Sequence, residues 1–334
     1  MSHARRVLTN LGRNRRLRVG ALLLALLVVT ALFAEVVAGD APVVAIGHSG
    51  FHVLAAVTDR AGYSALSRAQ IDARHAGDAT VWPLLRQGPD RRSTPLLAPS
   101  SEHPLGTDSS GYDVLAQLVY GARAALGPTA LAMLLAAALG ISLGGLSGFF
   151  GGFWDELLAR PIEVMQAFPT VLVVALAMAV DPRRGPTTLL LALVAVRSAE
   201  TARIMRVETL RATEQEYVTA ARALGASPWR ILRRHILPQA LRSVLISAAN
   251  ALPGFVLLET AVSFLGIGLP SSWGTLIAGG LAPNGPHLAA IMATLALALT
   301  VVGAQLVAEA VSEALDAKIP PIGSAKVIAA ERAE

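Results

Sequence analysis

The sequence contains no cysteine, few aromatic residues and little charge. The absence of cysteine excludes disulfides, thiolate metal sites and cysteine nucleophiles. Charged residues are 15% and aromatic residues 5% of the 334 residues, whereas a soluble domain carries about 25% charged residues. This composition disfavours a single soluble globular enzyme.

Lysine is nearly absent as well. The two lysines are Lys318 and Lys326, and neither follows a glycine, so the sequence has no G-x-x-x-x-G-K-[ST] motif. That motif supplies the backbone cradle and the lysine that hold ATP phosphates. The chain is therefore predicted to lack an ATPase site of its own.

Hydrophobic residues, by contrast, make up 54% of the chain, and the mean hydropathy is +0.55. They come in long blocks dominated by Ala, Leu, Val and Gly. Small residues let helices approach closely in lipid, where the hydrophobic effect does not drive helices together. The sequence thus predicts an all-α, polytopic membrane protein.

Six segments are long and apolar enough to span a membrane, which takes roughly 20 residues each. The fourth is strongly apolar only as far as Val196; Arg197, Glu200, Arg203 and Arg206 follow, so its far end is expected to enter a water-filled or protein-lined region. For the first segment, a cleaved signal peptide is the alternative to a retained helix. The predicted spans are residues 17–38, 127–150, 162–180, a segment from residue 187, 244–267 and 288–307.

Four glycines crowd the second predicted span, at Gly140, Gly144, Gly145 and Gly148. A glycine-rich stretch can form a phosphate-binding loop, but inside a helix at lipid depth it more often gives a surface for close packing. We expect these glycines to face another helix.

The positions of the arginines predict the orientation, because short cytoplasmic loops are enriched in basic residues. Loops 151–161 and 207–242 are predicted to be cytoplasmic, and the outer loop 268–287 has no Lys or Arg, although Arg183 and Arg184 in an outer turn go against the rule. The high pI of about 10.2 thus marks topology rather than a nucleic-acid partner. The predicted order is a cytoplasmic N-terminus 1–16, a span 17–38, an outer segment 39–113, a transmembrane domain 114–312 and a cytoplasmic tail 313–334.

The outer segment 39–113 is the long polar stretch of the chain, and we expect it to be partly ordered, with a short helix near residues 64–76. It contains His48, His52, His75 and His103, which lack an H-E-x-x-H or similar spacing. They are expected to be exposed to solvent, and no metal site is predicted.

The cytoplasmic loop contains the most informative segment, EQEYVTAARALGASPWRILRRHILP at residues 214–238. Tyr217, Ala220, Ala221 and Leu224 follow the i, i+3, i+4, i+7 spacing of an amphipathic helix. Residues 225–228, Gly-Ala-Ser-Pro, are typical of a helix end followed by a helix start. A second apolar face is predicted from Trp229, Ile231, Leu232 and Ile236, with Pro238 ending that helix.

This pattern predicts a helix–turn–helix whose elbow is built of small residues. Such an elbow allows the groove of another protein to close on the backbone. An interfacial amphipathic helix with arginines on anionic lipid is the alternative.

The segment resembles the EAA loop, the coupling loop of permease subunits of bacterial ABC importers, and above all its form in dipeptide and oligopeptide permeases. Thr219 stands where the wider pattern has its glutamate, and His235 where isoleucine is usual; both are compatible with the peptide branch. The matching residues are Glu216, Tyr217, Val218, Ala220, Ala221, Leu224, Gly225, Ala226, Ser227, His235, Ile236, Leu237 and Pro238.

The similarity extends over residues 103–318 and includes His103-Pro-Leu-Gly-Thr-Asp108, Ala167-Phe-Pro169 and Ser263-Phe-Leu-Gly-Ile-Gly268. Residues 39–100 carry no recognisable motif of the family. Arg197 stands where the family tends to have an uncharged residue.

The resemblance implies a C-type permease with the type I ABC importer fold: six transmembrane helices and a cytoplasmic coupling-helix loop, in the bacterial inner membrane. It implies a homologous second permease, two ATP-binding subunits or domains, and an extracytoplasmic peptide-binding protein. ATP and Mg would be held by the ATPases, and no cofactor by this chain. The coupling residues that it implies are Glu216, Tyr217, Ala220, Ala221, Leu224, Gly225, Ala226, Ser227 and Pro238.

Other functions stay open. Similar permeases serve nickel, glutathione or other small solutes. A secondary transporter is a further alternative, because intramembrane polar groups mark ion and substrate paths. The candidates for lining a path are Gln166, Asn250 and Glu259, although Glu259 also fits a carboxylate hydrogen-bonded at a helix interface. An intramembrane serine protease is disfavoured, since His235 and His287 are predicted in loops rather than at the depth of Ser263.

Overall fold

A computed structural model describes residues 14–47, 50–53, 62–63, 65–183 and 185–316. Most of residues 1–16, His48, Arg184 and the tail from residue 317, with both lysines, lie outside the described residues. Within the described part the chain is mostly helical. The helices are α1 (Arg15–Leu32), α2 (Ala34–Val37), α3 (Arg68–Arg74), α4 (Val114–Phe150), α5 (Gly152–Ala167), α6 (Thr170–Val180), α7 (Pro186–Thr213), α8 (Glu216–Ala223), α9 (Pro228–Ile231), α10 (Leu237–Phe264), α11 (Trp273–Leu281) and α12 (His287–Asp316).

The outer segment contains a small sheet, so the prediction of an all-α protein was wrong in this part. Strands β1 (Val44–Gly47), β2 (Gly50–Val53) and β3 (Ala79–Val81) form an antiparallel sheet in the order β2-β1-β3. Short β-branched stretches such as Val-Ala-Ile fit a pleated surface. The short helix expected near residues 64–76 is α3, whose start is closed by a capping box between Ser67 and Gln70.

Among the described residues, three helices are long and apolar enough to cross a membrane: α4, the continuous helix Pro228–Phe264, and α12. A fourth span results if α5 and α6 count as one, although the chain bends by 89° between them. The residue before a proline is biased away from helical geometry, and Phe168 adopts an extended conformation before Pro169. The segment predicted as a span at residues 162–180 is therefore broken at Pro169.

Two further helices extend well beyond the predicted spans. The helix predicted at residues 127–150 begins at Val114 and passes through Pro128. The helix predicted from residue 187 runs on through its charged half to Thr213. Hydropathy alone misses such extensions, since the added residues include charged and polar side chains.

The long helices α4 and α7 lie against each other along the predicted glycine surface. A Cβ atom on Gly144 would stand 2.1 Å from the Ala202 carbonyl oxygen, and one on Gly140 would meet Thr201 Cβ at 2.5 Å. The helix backbones are thus in direct contact at these residues. The expectation of close packing is confirmed.

The start of α1 and the end of α12 lie at the same end of the molecule. Arg16 Nη1 donates to Glu313 Oε1 at 2.7 Å and lies 3.5 Å from Glu309 Oε2. Asn14 also donates to Glu313, at 3.0 Å. Near the other end of α1, Glu35 on α2 accepts hydrogen bonds from both terminal nitrogens of Arg123 on α4, at 2.5 and 2.8 Å.

Candidate functional site

The predicted elbow is a compact helix end. Helix α8 stops at Ala223, and Gly225 follows with φ +79°, in the left-handed region that glycine tolerates. The Ala226 N–H donates to the Ala221 carbonyl and the Gly225 N–H to the Arg222 carbonyl, both at 3.0 Å. This pair of hydrogen bonds is the Schellman motif. It satisfies the last carbonyls of α8 and turns the chain towards Ser227 and Pro228.

A small apolar core lies beneath this elbow, formed by the end of α7, by α8, and by the first turns of the next helix. Val218 is fully buried in it, and Ala221 and Ala226 are half-buried at its edge. The buried members are Ala212, Val218, Ile231, Leu232 and Ile236.

The predicted apolar stripe of α8 was wrong in register. Leu224 is 88% exposed and Tyr217 is 36% exposed, while Val218 is the residue that faces inward. The reason is length: α8 ends at Ala223, so Leu224 is not part of the helical face that its spacing from Tyr217 suggests. Trp229, assigned to the second apolar face, is also largely exposed, at 55%.

The sequence suggested that Pro238 ends a helix, but the helix continues past this residue. Pro238 is the second residue of α10 and follows directly after a π-helical turn. A π-helical turn, Leu232–Ile236, joins α9 to α10, so the chain runs as one helix from Pro228 to Phe264. Such turns are rare and frequently occur at functional sites.

Tyr217 connects α8 to this second helix. Its hydroxyl donates to Gln239 Oε1 at 2.6 Å, and its ring lies 6.3 Å from the His235 ring. Burial raises the pKa of the Tyr217 phenol, so it stays protonated as a donor at neutral pH. This contact holds α8 against the following helix.

The outward surface of the elbow is exposed and includes several residues with small side chains. Ala220, Ala223 and Gly225 are exposed, with Leu224 beside them. A Cβ on Gly225 would meet nothing within 4 Å. None of the described residues covers them, and Arg222 and Leu224 are the long exposed side chains of this surface.

A bidentate ion pair braces the helices next to the elbow. Arg206 on α7 donates to both carboxylate oxygens of Asp155 on α5, at 2.5 and 2.7 Å, and Ser147 at the end of α4 donates to Asp155 at 2.5 Å. Three helices are thereby joined. The sequence alone did not indicate this group, because Arg206 lies 51 residues from Asp155 along the chain.

The three residues predicted as pathway candidates lie apart from one another. Gln166 is exposed and donates to the Ala199 carbonyl at 3.1 Å. Asn250 is exposed and donates to Ser312 at 3.2 Å. Glu259 is fully buried and accepts from Ser263 at 2.8 Å, with Thr260 and Ser272 as further partners. In this conformation Glu259 holds α10 to the loop before α11.

Arg197, to which the sequence assigned no role, borders a cavity of about 390 Å³ between α6, α7 and α10. Its guanidinium donates to Glu200 at 2.5 Å and lies 4.8 Å from the centre of the Phe255 ring. The remaining lining is mostly apolar and comprises Thr170, Val171, Gly254, Phe255, Leu257, Leu258 and Ala261.

The expectation that the outer histidines are exposed was wrong for two of them. His75 is buried between Tyr63, at 2.8 Å, and Asp78, at 3.1 Å. His103 is buried against Asp113 at 2.8 Å, and Asp113 also caps the start of α4. Both rings fill core positions of the outer segment. No group of three or more metal-ligating residues occurs in the described part of the chain.

Comparison with known proteins gives one family. The model of the binding-protein-dependent transport system inner membrane component matches residues 140–319. The oligopeptide transport system permease protein OppC of Bacillus subtilis is 37% identical over 186 residues, which are 55% of this chain and 61% of that protein. The dipeptide transport system permease protein DppC of the same organism is 32% identical, over 67% of this chain and 71% of that protein.

The glutathione transport system permease protein GsiD of Escherichia coli O6:K15:H31 is 33% identical, over 66% of this chain and 74% of that protein. Among solved structures, an amino acid ABC transporter crystallised with histidines aligns with a TM-score of 0.46 and 20% identity, over 58% of this chain and 92% of that one.

Proposed function

The chain belongs to the family of binding-protein-dependent transport system inner membrane components, and from that premise we propose that it forms half of the translocation pathway of an ATP-driven importer for di- or oligopeptides. It is a multi-pass protein of the inner membrane. Permease subunits of this family lack ATPase activity, in agreement with the missing phosphate-binding loop. Energy must therefore come from other subunits.

The elbow at residues 216–227 is the proposed docking element for the ATPases. The observation that carries the proposal is its construction: a helix anchored from below by Val218 and Tyr217, with Ala220, Ala223 and Leu224 left uncovered. An anchored helix with a low outer surface can enter the groove of another protein without bending. Closure of two ATPases on ATP and Mg would then move the helices attached to the elbow.

We propose six spans: α1, α4, the broken pair α5–α6, α7, Pro228–Phe264 and α12. Helix α1 presents large apolar side chains outward, with Leu22 70% and Leu26 62% exposed, as expected for contact with lipid. Both termini and the elbow are assigned to the cytoplasm, and the sheet-containing outer segment 39–113 to the opposite side. The contact of Arg16 with Glu313 supports the placement of the two termini on one side.

The remaining partners follow from the family: a homologous second permease, two ATP-binding subunits and an extracytoplasmic binding protein. Peptides are the proposed cargo because two of the relatives named above are oligopeptide and dipeptide permeases. Glutathione, nickel or another small solute is the alternative cargo, since the third relative is a glutathione permease. A secondary transporter is the less favoured alternative, because Glu259 is enclosed by hydrogen-bond donors.

The test introduces a bulky side chain on the exposed surface of the elbow. Ala220→Arg changes an exposed residue, so this chain should still fold and insert. In reconstituted complexes we expect ATP-dependent peptide uptake to fall at least tenfold, because a bulky side chain blocks the groove. The matched control is Ala69→Arg, at an exposed position of α3 in the outer segment, which should transport normally.

Normal uptake and normal stimulation of ATP hydrolysis in the Ala220→Arg complex would disprove the docking assignment. Uptake by this chain alone, driven by a proton gradient without ATP, would disprove the importer proposal as a whole.

A further inference from the structure

We infer that Arg197 recognises a carboxylate of the transported substrate at the cavity between α6, α7 and α10. This inference rests on the proposed import function and names a chemical group that the pathway selects. Arg197 is a positive charge within a helix that packs between other helices, and intramembrane charges are costly unless they serve a function. Hydrophobic packing alone would favour an uncharged residue at this position.

The geometry leaves the guanidinium available to a ligand. The side chain is 22% exposed and borders the cavity of about 390 Å³. Among the described residues, Glu200 is the one hydrogen-bond acceptor of Arg197, and it engages a single nitrogen, Nη1. A guanidinium carries five N–H donors in a planar fork, so the donors that Glu200 does not use can bind a second carboxylate.

The surroundings hold this fork in place. Phe255 lies beneath it at 4.8 Å from the ring centre, and Glu200, one turn along the same helix, binds its edge. A planar cation fixed on an aromatic face loses little freedom when it binds a carboxylate. Leu258 and Ala261 add apolar surface to the lining.

A second source of positive potential lies at the same cavity. Thr170 and Val171, which border it, are the first residues of α6, an 11-residue helix that no side chain caps. The first N–H groups of a helix lack partners within the helix, and its dipole favours an anion there. Arg197 and this helix start therefore act on the same volume, and both favour negative charge.

The substrate class that fits is a peptide with a free α-carboxylate. The carboxylate would bind Arg197 near the start of α6, and the apolar lining would accept the adjoining side chain. Glu200, 40% exposed, remains as a counter-charge that keeps the site neutral when no substrate is present.

The experiment compares trialanine with trialanine amide in proteoliposomes containing the complete importer and its binding protein. Uptake of each peptide is measured with the binding protein saturated, and the ratio of free acid to amide is compared between wild type and variants. The preference of the binding protein cancels in this comparison. For wild type we expect a ratio that exceeds that of Arg197→Gln by about tenfold, the effect of one hydrogen bond between charged groups.

Arg203→Gln is the control, since Arg203 is an exposed arginine on the same helix and should leave the ratio unchanged. Arg197→Lys should also lower the ratio, because lysine keeps the charge but not the fork. An unchanged ratio in whichever Arg197 variant assembles with the other subunits overturns the inference. Absence of any ATP-dependent trialanine uptake in wild type would instead refute the proposed peptide function.

Discussion

Gly225 shows how one residue determines the shape of the elbow. Its φ of +79° is required by the Schellman motif, yet no atom lies within 4 Å of a Cβ placed there. The requirement is therefore one of backbone conformation and not of space. An L-residue in the left-handed region costs about 1–2 kcal/mol, and Asn tolerates it best.

The activities of Gly225 variants should consequently follow how readily the new residue adopts the left-handed backbone conformation. We expect Gly225→Asn to retain most ATP-coupled uptake, whereas Gly225→Val should lose it, because a β-branched residue opens the turn and displaces Ala226. Uptake and ATP hydrolysis by the reconstituted complex measure this ranking. Equal activities for the two variants would contradict the conformational explanation.

The group of Asp155, Arg206 and Ser147 allows a second test on single residues. Asp155→Ala should lower the free energy of unfolding of the purified chain by on the order of 1 kcal/mol, because Arg206 loses both of its acceptors. The ion pair is only partly exposed, so solvent weakens it less than a pair on the open surface. Thermal unfolding in detergent is the measurement. In a double-mutant cycle, Arg206→Ala should cost little more once Asp155 is gone; additive losses would show that the two residues do not interact.

Among whole elements, the contact between α4 and α7 depends on small residues. Gly144→Ala should separate the two helices, since its Cβ would lie 2.1 Å from the Ala202 carbonyl oxygen, with a loss of about 1–3 kcal/mol for an overfilled contact. Gly127→Ala, on the same helix, has nothing within 4 Å and should be neutral or stabilising. The measurement is the melting temperature of each variant. An equal shift for Gly144→Ala and Gly127→Ala would contradict the direct contact between α4 and α7.

The sequence predicted the existence of most elements better than their limits. Apolar blocks located the helices, and the motif at residues 216–227 located the elbow, because both are local patterns. The register of α8 could not be predicted, since Val218 is buried by Ala212, Ile231 and Ile236 from other helices. His75 and His103 were misjudged for the same reason: their buried partners include Tyr63 and Asp113, which spacing alone does not indicate.

At the scale of the whole molecule, the proposed topology makes a labelling prediction that the cysteine-free sequence suits well. Ala69→Cys, on the outer helix α3, should react with a membrane-impermeant maleimide on intact cells. Arg160→Cys, on the exposed side of α5, should react only after the membrane is permeabilised. No native thiol competes, because the chain has no cysteine. Labelling of Arg160→Cys on intact cells would reverse the assigned orientation.

The continuous helix Pro228–Phe264 has a mechanical consequence. Its 37 residues extend over about 55 Å. Its first turns form the core beneath the elbow, Phe255 lies under Arg197, and Glu259 binds the loop before α11. This one helix therefore connects the core beneath the proposed docking elbow, the cavity at Arg197 and the loop before α11. A displacement of its first turns would be transmitted to the other two sites, with the π-helical turn and Pro253 as the places where the helix can bend.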